Sequence, residues 1–353
     1  MESVFELLEM AKFLNKLPLS NDDKINWKEI INSLIKLIVF TIERSCIYNK
    51  IENFSVEVLY EYKIMFEDLL KLESFDSPIQ HNLSFITLNY DMLLEMAINT
   101  VKKYGQNLNS SEKNELPFHY GFNNEKFKSQ IPIYKLHGSL NWVLSNEYEA
   151  DYNPKSELKI KSNDSYFDFI NFLTDDITDN YSINTFSTDN YVITSSEQLP
   201  LIVPPTWNKI REYDQLKIVW QNAFEDLSNA DNIVIMGYSL PDSDQVFKRF
   251  FSLAMSGKKP IRKILLVDPN IKNTLPRFKN LLGNNALQRL YVMSYKLEDF
   301  KLESNEVDVK TSPIKKTELH TKVYSSTFIT RFLTDTVDKG AGMIKHYTEF
   351  EKD

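Results

Sequence analysis

Residues 131–139 read IPIYKLHGS, a short apolar run that stops abruptly on small, polar, turn-forming residues. The same texture recurs from residue 83 onward, in LSFITL (83–88), LIV (201–203), NIVIM (232–236), KILLV (263–267) and RLYVMS (289–294). Continuous apolar runs of this length are what strands covered on both faces require. They alternate with helical periodicity at 91–104, 212–229 and 243–256. That alternation predicts βαβ units and an α/β fold with a parallel sheet flanked by helices.

Ligands of such sheets bind just beyond the C-terminal ends of the strands. The residues that follow each run are therefore the candidates for chemistry. They are Asn89-Tyr90-Asp91, His137-Gly138-Ser139, Pro204-Pro205, Gly237-Tyr238-Ser239 with Pro241-Asp242-Ser243-Asp244, and Asp268-Pro269-Asn270. Each also has a purely structural explanation. Asp91 can cap the helix that follows it, and Asp242 with Gln245 three residues later can form a capping box. His137 can be a satisfied buried histidine, Gly138 and Gly237 can serve turns alone, and the proline pair can be a rigid loop. The convergence of five strand ends on such residues, in one order, is what favours function.

Upstream, residues 2–16, 26–46 and 54–73 read as helices. In the second, Trp27, Ile31, Leu34, Ile35, Ile38 and Ile42 form one apolar face. The expected organisation is an N-terminal helical segment (1–80), a sheet-bearing domain (81–300) and a C-terminal tail (301–353). Within the domain, 145–199 lacks glycine and sustained periodicity and reads as an insertion or lid, with a helix near 166–173. A further helix is expected near 326–338.

With 353 residues the chain is long enough for a sizeable core, and 42% apolar with 13% aromatic residues excludes wholesale disorder. A net charge of −8 without a basic stripe argues against general nucleic-acid binding. The single cysteine, Cys46, excludes an internal disulfide and any multi-cysteine zinc site; its apolar helical setting reads as a buried thiol. The acidic start MESVFELLEM is unlike a secretory signal, and the apolar run 34–42 is too short to span a bilayer. A cytoplasmic protein without membrane association is expected. Only eight glycines occur and the first is Gly105, so residues 1–104 hold no glycine-rich phosphate loop.

Taken together, FITLNYDMLLE (85–95), YKLHGSLNW (134–142), LIVPPTWNK (201–209), GYSLPDSD (237–244) and LVDPN (266–270) resemble the SIR2 family. Within it, they most resemble the SIR2-like domains of bacterial anti-phage defence proteins. The resemblance spans roughly residues 80–270. It implies a Rossmann-like sheet that binds NAD as substrate and breaks the bond between nicotinamide and ribose. It carries Asn89 and His137 across as the catalytic pair, with Asp91 beside them. Gly237 and Ser239 fall where the adenosine-side phosphate and ribose are held, and Asp268 or Asn270 near the adenosine ribose. Thr87, Tyr90, Gly138, Ser139 and Asp242 join the same implied NAD site.

Those residue types suit the reaction. Departure of nicotinamide leaves an oxocarbenium-like ribose. A carboxamide orients water or a ribose hydroxyl without titrating, and a histidine can act as general base near neutral pH. Two departures from the family pattern matter. The opening strand and GAG-x-S loop of SIR2 chains have no counterpart before Phe85, which implies either a chain that begins downstream of that loop, the preferred reading, or one that has lost it. A four-cysteine zinc ribbon cannot be built from one cysteine, which tips the expectation from deacylation toward hydrolysis without a metal. The expected activity is NAD+ glycohydrolysis in anti-phage defence by NAD depletion, with a homo-oligomer and a defence-system partner. The alternatives are a catalytically degenerate NAD or ADP-ribose sensor and a scaffolding subunit.

Overall fold

The computed structural model describes residues 2–14, 16, 26–45, 83–95, 97–98, 118–122, 131–144, 158–160, 200–203, 216–257, 260–294, 302–303, 323–324 and 344–352. In chain order the principal elements begin with α1 (Glu2–Leu14), α2 (Trp27–Ser45), β1 (Phe85–Thr87), β2 (Phe118–His119), β3 (Ile131–Lys135), β4 (Trp142–Leu144) and β5 (Leu158–Ile160). They continue with α3 (Lys217–Asn229), β6 (Asn232–Met236), α4 (Gln245–Met255), β7 (Lys263–Val267), α5 (Ile271–Leu281), β8 (Leu290–Met293) and β9 (Ile344–His346). The chain divides into two compact units. One comprises Met1–Val56, Leu83–Asp226 and Pro241–Phe251; the other comprises Glu57–Asn82, Leu227–Leu240 and Ser252–Asp353.

In the first unit β1, β3 and β2 form a parallel sheet with β3 in the middle. A central strand must be covered on both faces, and Ile131, Ile133, Tyr134 and Lys135 of β3 are all buried. β4 pairs antiparallel with β5, so part of the stretch read as an insertion is a strand. Trp142 of β4 is fully buried and meets Tyr120 and Phe122 edge-on, at 5.1 and 4.7 Å between ring centroids. Aromatic rings also join α3 to α4, with Trp220 perpendicular to Phe250 at 4.9 Å.

The second unit holds a four-stranded sheet in the order β9-β8-β7-β6. β6, β7 and β8 run parallel, and β9 adds antiparallel beside β8. Ile264, Leu265 and Leu266 of β7 are sealed from solvent, as an interior parallel strand demands. β6, at the end of the strand order, buries only Ile233. α5 follows β7 directly and sets Ile271, Thr274, Leu275 and Phe278 inward, despite Pro276 within it. Both units are thus α/β, with parallel strands and flanking helices, and the Rossmann-like expectation holds.

Several expectations shift. The predicted strand LIV contributes only an isolated antiparallel bridge, between Ile202 and Gly138. β2, β4, β5, β9 and α5 were not expected. The helices predicted at 54–73, 166–173 and 326–338 lie outside the described residues, as do Cys46 and the Pro204-Pro205 pair. No helix among the described residues is long and apolar enough to cross a membrane.

Leu265 is fully buried in an interior strand, so truncation there leaves a cavity on the face of the sheet its side chain covers. Leu265→Ala is expected to cost about 2–5 kcal/mol of unfolding free energy, read as a lower urea midpoint with an unchanged slope.

Candidate functional site

β1 and β3 end in step. Thr87 pairs with Lys135, and the Leu136 amide donates to the Thr87 carbonyl at 3.0 Å as the last rung. Asn89 and His137 therefore each stand two residues beyond a paired strand end, on adjacent parallel strands. Past the rung the first strand turns: the Asn89 amide donates to Thr87 Oγ1 at 3.1 Å. Asp91 Oδ1 then accepts the Leu93 amide at 3.0 Å and caps the helical turn 93–95. The capping role open to Asp91 is thus realised, with its carboxylate half-buried at the tip. Asn89 is exposed, and the Tyr90 ring lies 6.4 Å from the His137 ring.

The loop after β3 is held from every side. Gly138 has φ +87°, and a Cβ there would sit 2.0 Å from the Leu201 carbonyl oxygen, so no other residue fits. The Ser139 amide donates to Leu201 O at 3.0 Å, and the Val203 amide to His137 O at 2.8 Å. Tyr90 Oη donates to Val203 O at 3.0 Å and Trp220 Nε1 to Leu136 O at 2.9 Å. His137 is 4% exposed, which meets the burial half of the structural alternative. Ser139 is fully buried, and its hydroxyl donates to Asn141 Oδ1 at 2.7 Å.

Beneath this tip lies a polar network that sequence reasoning missed. Lys135 Nζ, without solvent exposure, donates to Glu95 Oε1 at 2.8 Å, to the Tyr90 carbonyl at 3.4 Å and to the Asp91 carbonyl. Glu95, equally buried, also accepts from Tyr120 Oη at 3.2 Å, and Asn141 Nδ2 donates to that hydroxyl at 3.0 Å. The available signal was a lysine inside a run that had to be covered on both faces. A buried charge there needs a partner, and Glu95, one turn beyond Asp91, supplies it.

The remaining predicted residues stand elsewhere. Asp242, in the first unit, points outward, with its side chain 90% exposed and 2.9 Å from Lys248 Nζ. The capping box open to Asp242 is not the one formed: Asp244 caps α4, its Oδ1 accepting the Phe247 amide at 3.2 Å. Gln245 Nε2 instead donates to the Asp242 carbonyl. In the second unit, Gly237 follows β6 with φ +64°, and a Cβ there would meet nothing within 4 Å. The Ser239 carbonyl accepts from Arg277 Nη1 at 3.0 Å. Leu240, buried before Pro241, takes a left-handed φ of 51° that a branched side chain rarely adopts. Asp268 is buried after β7, its Oδ1 accepting the Asn270 amide at 2.6 Å, and Asn270 begins α5 without a side-chain cap bond. The first unit thus gathers Thr87, Asn89, Tyr90, Asp91, His137, Gly138 and Ser139 at one sheet end. Gly237, Ser239, Asp268 and Asn270 follow strands of the second unit.

The described residues contain no group of three or more His, Cys, Asp and Glu side chains placed to hold a metal. A family model described as the SIR2-like domain matches residues 83–288, more than half of the chain. The chain belongs to the SIR2-like domain family. Comparison with curated proteins found no match. For a SIR2-like domain, activity related to NAD is the supported functional frame, and the matched span contains every strand tip described above.

Two side chains of this SIR2-like domain, one on β3 and one on β2, have shifted titration. Burial raises the Tyr134 phenol well above its ordinary range, reinforced by Asp226, whose Oδ2 accepts its proton at 2.8 Å. Burial lowers His119, with Asp226 opposing in part, and His119 Nδ1 accepts the Gly121 amide at 3.2 Å.

Gly138→Ala forces either the loop or Leu201 to move, and is expected to cost on the order of 3 kcal/mol in thermal or chemical denaturation. For His119 the folded value lies below the unfolded one. Its contribution is therefore complete above about pH 6.5 and lost as pH falls through the lowered folded value. His119→Gln should flatten that acid-side loss of stability, measured by urea denaturation at stepped pH.

Proposed function

We propose that this SIR2-like domain is an NAD+ glycohydrolase that cleaves the nicotinamide–ribose bond with water to give nicotinamide and ADP-ribose. The observation that carries the reading is the shared register of Asn89 and His137, two residues past the paired ends of adjacent parallel strands. Charge develops on the ribose as the C1′–N bond lengthens. Asn89, exposed at the tip, is suited to hold a ribose hydroxyl or the attacking water through its carboxamide. His137 is assigned as the base that takes the water's proton. Asp91 is assigned to orientation at the same tip. Gly237, with open space beside its Cα, suits close backbone approach to ligand oxygens. With Ser239, Asp268 and Asn270 it is assigned to the adenosine side on the motif resemblance.

The same resemblance supports NAD depletion in anti-phage defence as the physiological role, with a partner protein as trigger, a homo-oligomeric assembly and a cytoplasmic setting. A second reading, a non-catalytic module that binds NAD or ADP-ribose, is favoured by one observation: His137 is almost sealed from solvent.

Nicotinamide release from NAD, followed chromatographically, is expected to fall about a hundredfold to ten-thousandfold in both Asn89→Ala and His137→Ala, with melting close to the parent's. Saturable NAD binding by calorimetry with no release from the parent supports the second reading. Full activity in both variants contradicts the site assignment.

A further inference from the structure

We infer that Lys135 is a positioning residue for the proposed reaction: its buried ammonium, held by Glu95, locks the Asn89–Asp91 turn onto β3 and so sets Asn89 against His137. The inference rests on the glycohydrolase reading for its consequence, but not for its geometry. An ammonium has three protons, and each has an acceptor here: Glu95 Oε1, the Tyr90 carbonyl and the Asp91 carbonyl. Two of those acceptors are the backbone of the turn that presents Asn89. Lys135 itself is the last residue of β3, two before His137. One side chain therefore ties both catalytic candidates to a common point. The Leu140 amide also donates to the Tyr90 carbonyl, at 3.1 Å, so the turn and the loop after β3 share an acceptor.

Stability alone does not account for this arrangement. A buried ion pair is commonly no more stabilising than apolar residues of similar volume. Glu95 moreover leaves Oε2 buried with no hydrogen-bond partner among the described residues, an unfavourable state for a carboxylate. What the pair supplies that apolar packing does not is direction: charged donors aimed at two named carbonyls. A displacement near one ångström at reacting groups can cost about a hundredfold in rate, so fixing the turn is where such a device acts.

The test compares Lys135→Met with the double variant Lys135→Met/Glu95→Gln, in the full chain. The single variant strands a buried carboxylate and is expected to melt lower; the double variant removes both charges, keeps an acceptor for Tyr120 and recovers melting toward the parent. In the double variant, amide hydrogen exchange over residues 85–95 should quicken at least about tenfold. Its kcat for nicotinamide release should fall about a hundredfold, with KM within about threefold of the parent. Parent-like exchange in a stably folded double variant overturns the inference, and so does an unchanged kcat or a loss carried wholly by KM. A parent that releases no nicotinamide overturns the glycohydrolase reading alone, because the exchange measurement still decides whether Lys135 holds the turn.

Discussion

The hydrogen bond from the Leu136 amide to the Thr87 carbonyl closes the last rung between two parallel strands, and the geometry of the whole tip follows from it. Beyond that rung neither strand has a ladder partner in the other. Each chain must satisfy its backbone groups by turning, and both do so with polar side chains and carbonyls close at hand. Thr87 and Asp91 bend the first strand into a capped helical turn. Gly138 lets the second pass within contact of Leu201. Because the strands stop in register, the two turns are neighbours without any need for a long loop, the first with Asn89 exposed and the second with His137 buried.

Beneath the turns, five polar side chains that would ordinarily seek water are buried around β3 among the described residues: Glu95, Lys135, His137, Ser139 and Asn141. Burying them is unfavourable unless their donors and acceptors are matched. Most are matched, through a chain that runs from Ser139 through Asn141 and Tyr120 to Glu95 and Lys135. Such a network has directional bonds where apolar packing has none, so it specifies one arrangement of the backbone above it. The second unit shows the contrasting solution. In its β7, Ile264, Leu265, Leu266 and Val267 are buried aliphatic residues, and a buried carboxylate, Asp268, appears just past the strand end.

Much of this was legible in the sequence. NIVIM and KILLV coincide with β6 and β7 to the residue; in β7 the reason is that a strand covered on both faces tolerates little but aliphatic side chains. The tips were legible because a glycine, proline or carboxamide after an apolar run marks where the ladder stops. Other features were hidden for identifiable reasons. β2 is two residues long and exists only by pairing with β3, a contact with no local signal. β9 comes from the tail and is likewise defined by its partner β8. Pro276 disguised α5, whose four inward residues nonetheless follow helical spacing. Asp242 and Asp244 were equivalent as caps by composition, and only the start of α4 at Gln245 separates them. The Lys135–Glu95 pair stayed hidden because the run IPIYKL is apolar as a whole and its one charge finds its partner 40 residues away in sequence.

The central claim is that the β1 and β3 tips present Asn89 and His137 to one nicotinamide riboside. Isotope-edited nuclear Overhauser contacts in the protein bound to a non-hydrolysable NAD analogue test it most directly. The account predicts contacts from the nicotinamide and adjacent ribose protons to both the Asn89 carboxamide and the His137 ring. Saturating binding that gives contacts to neither side chain would contradict it.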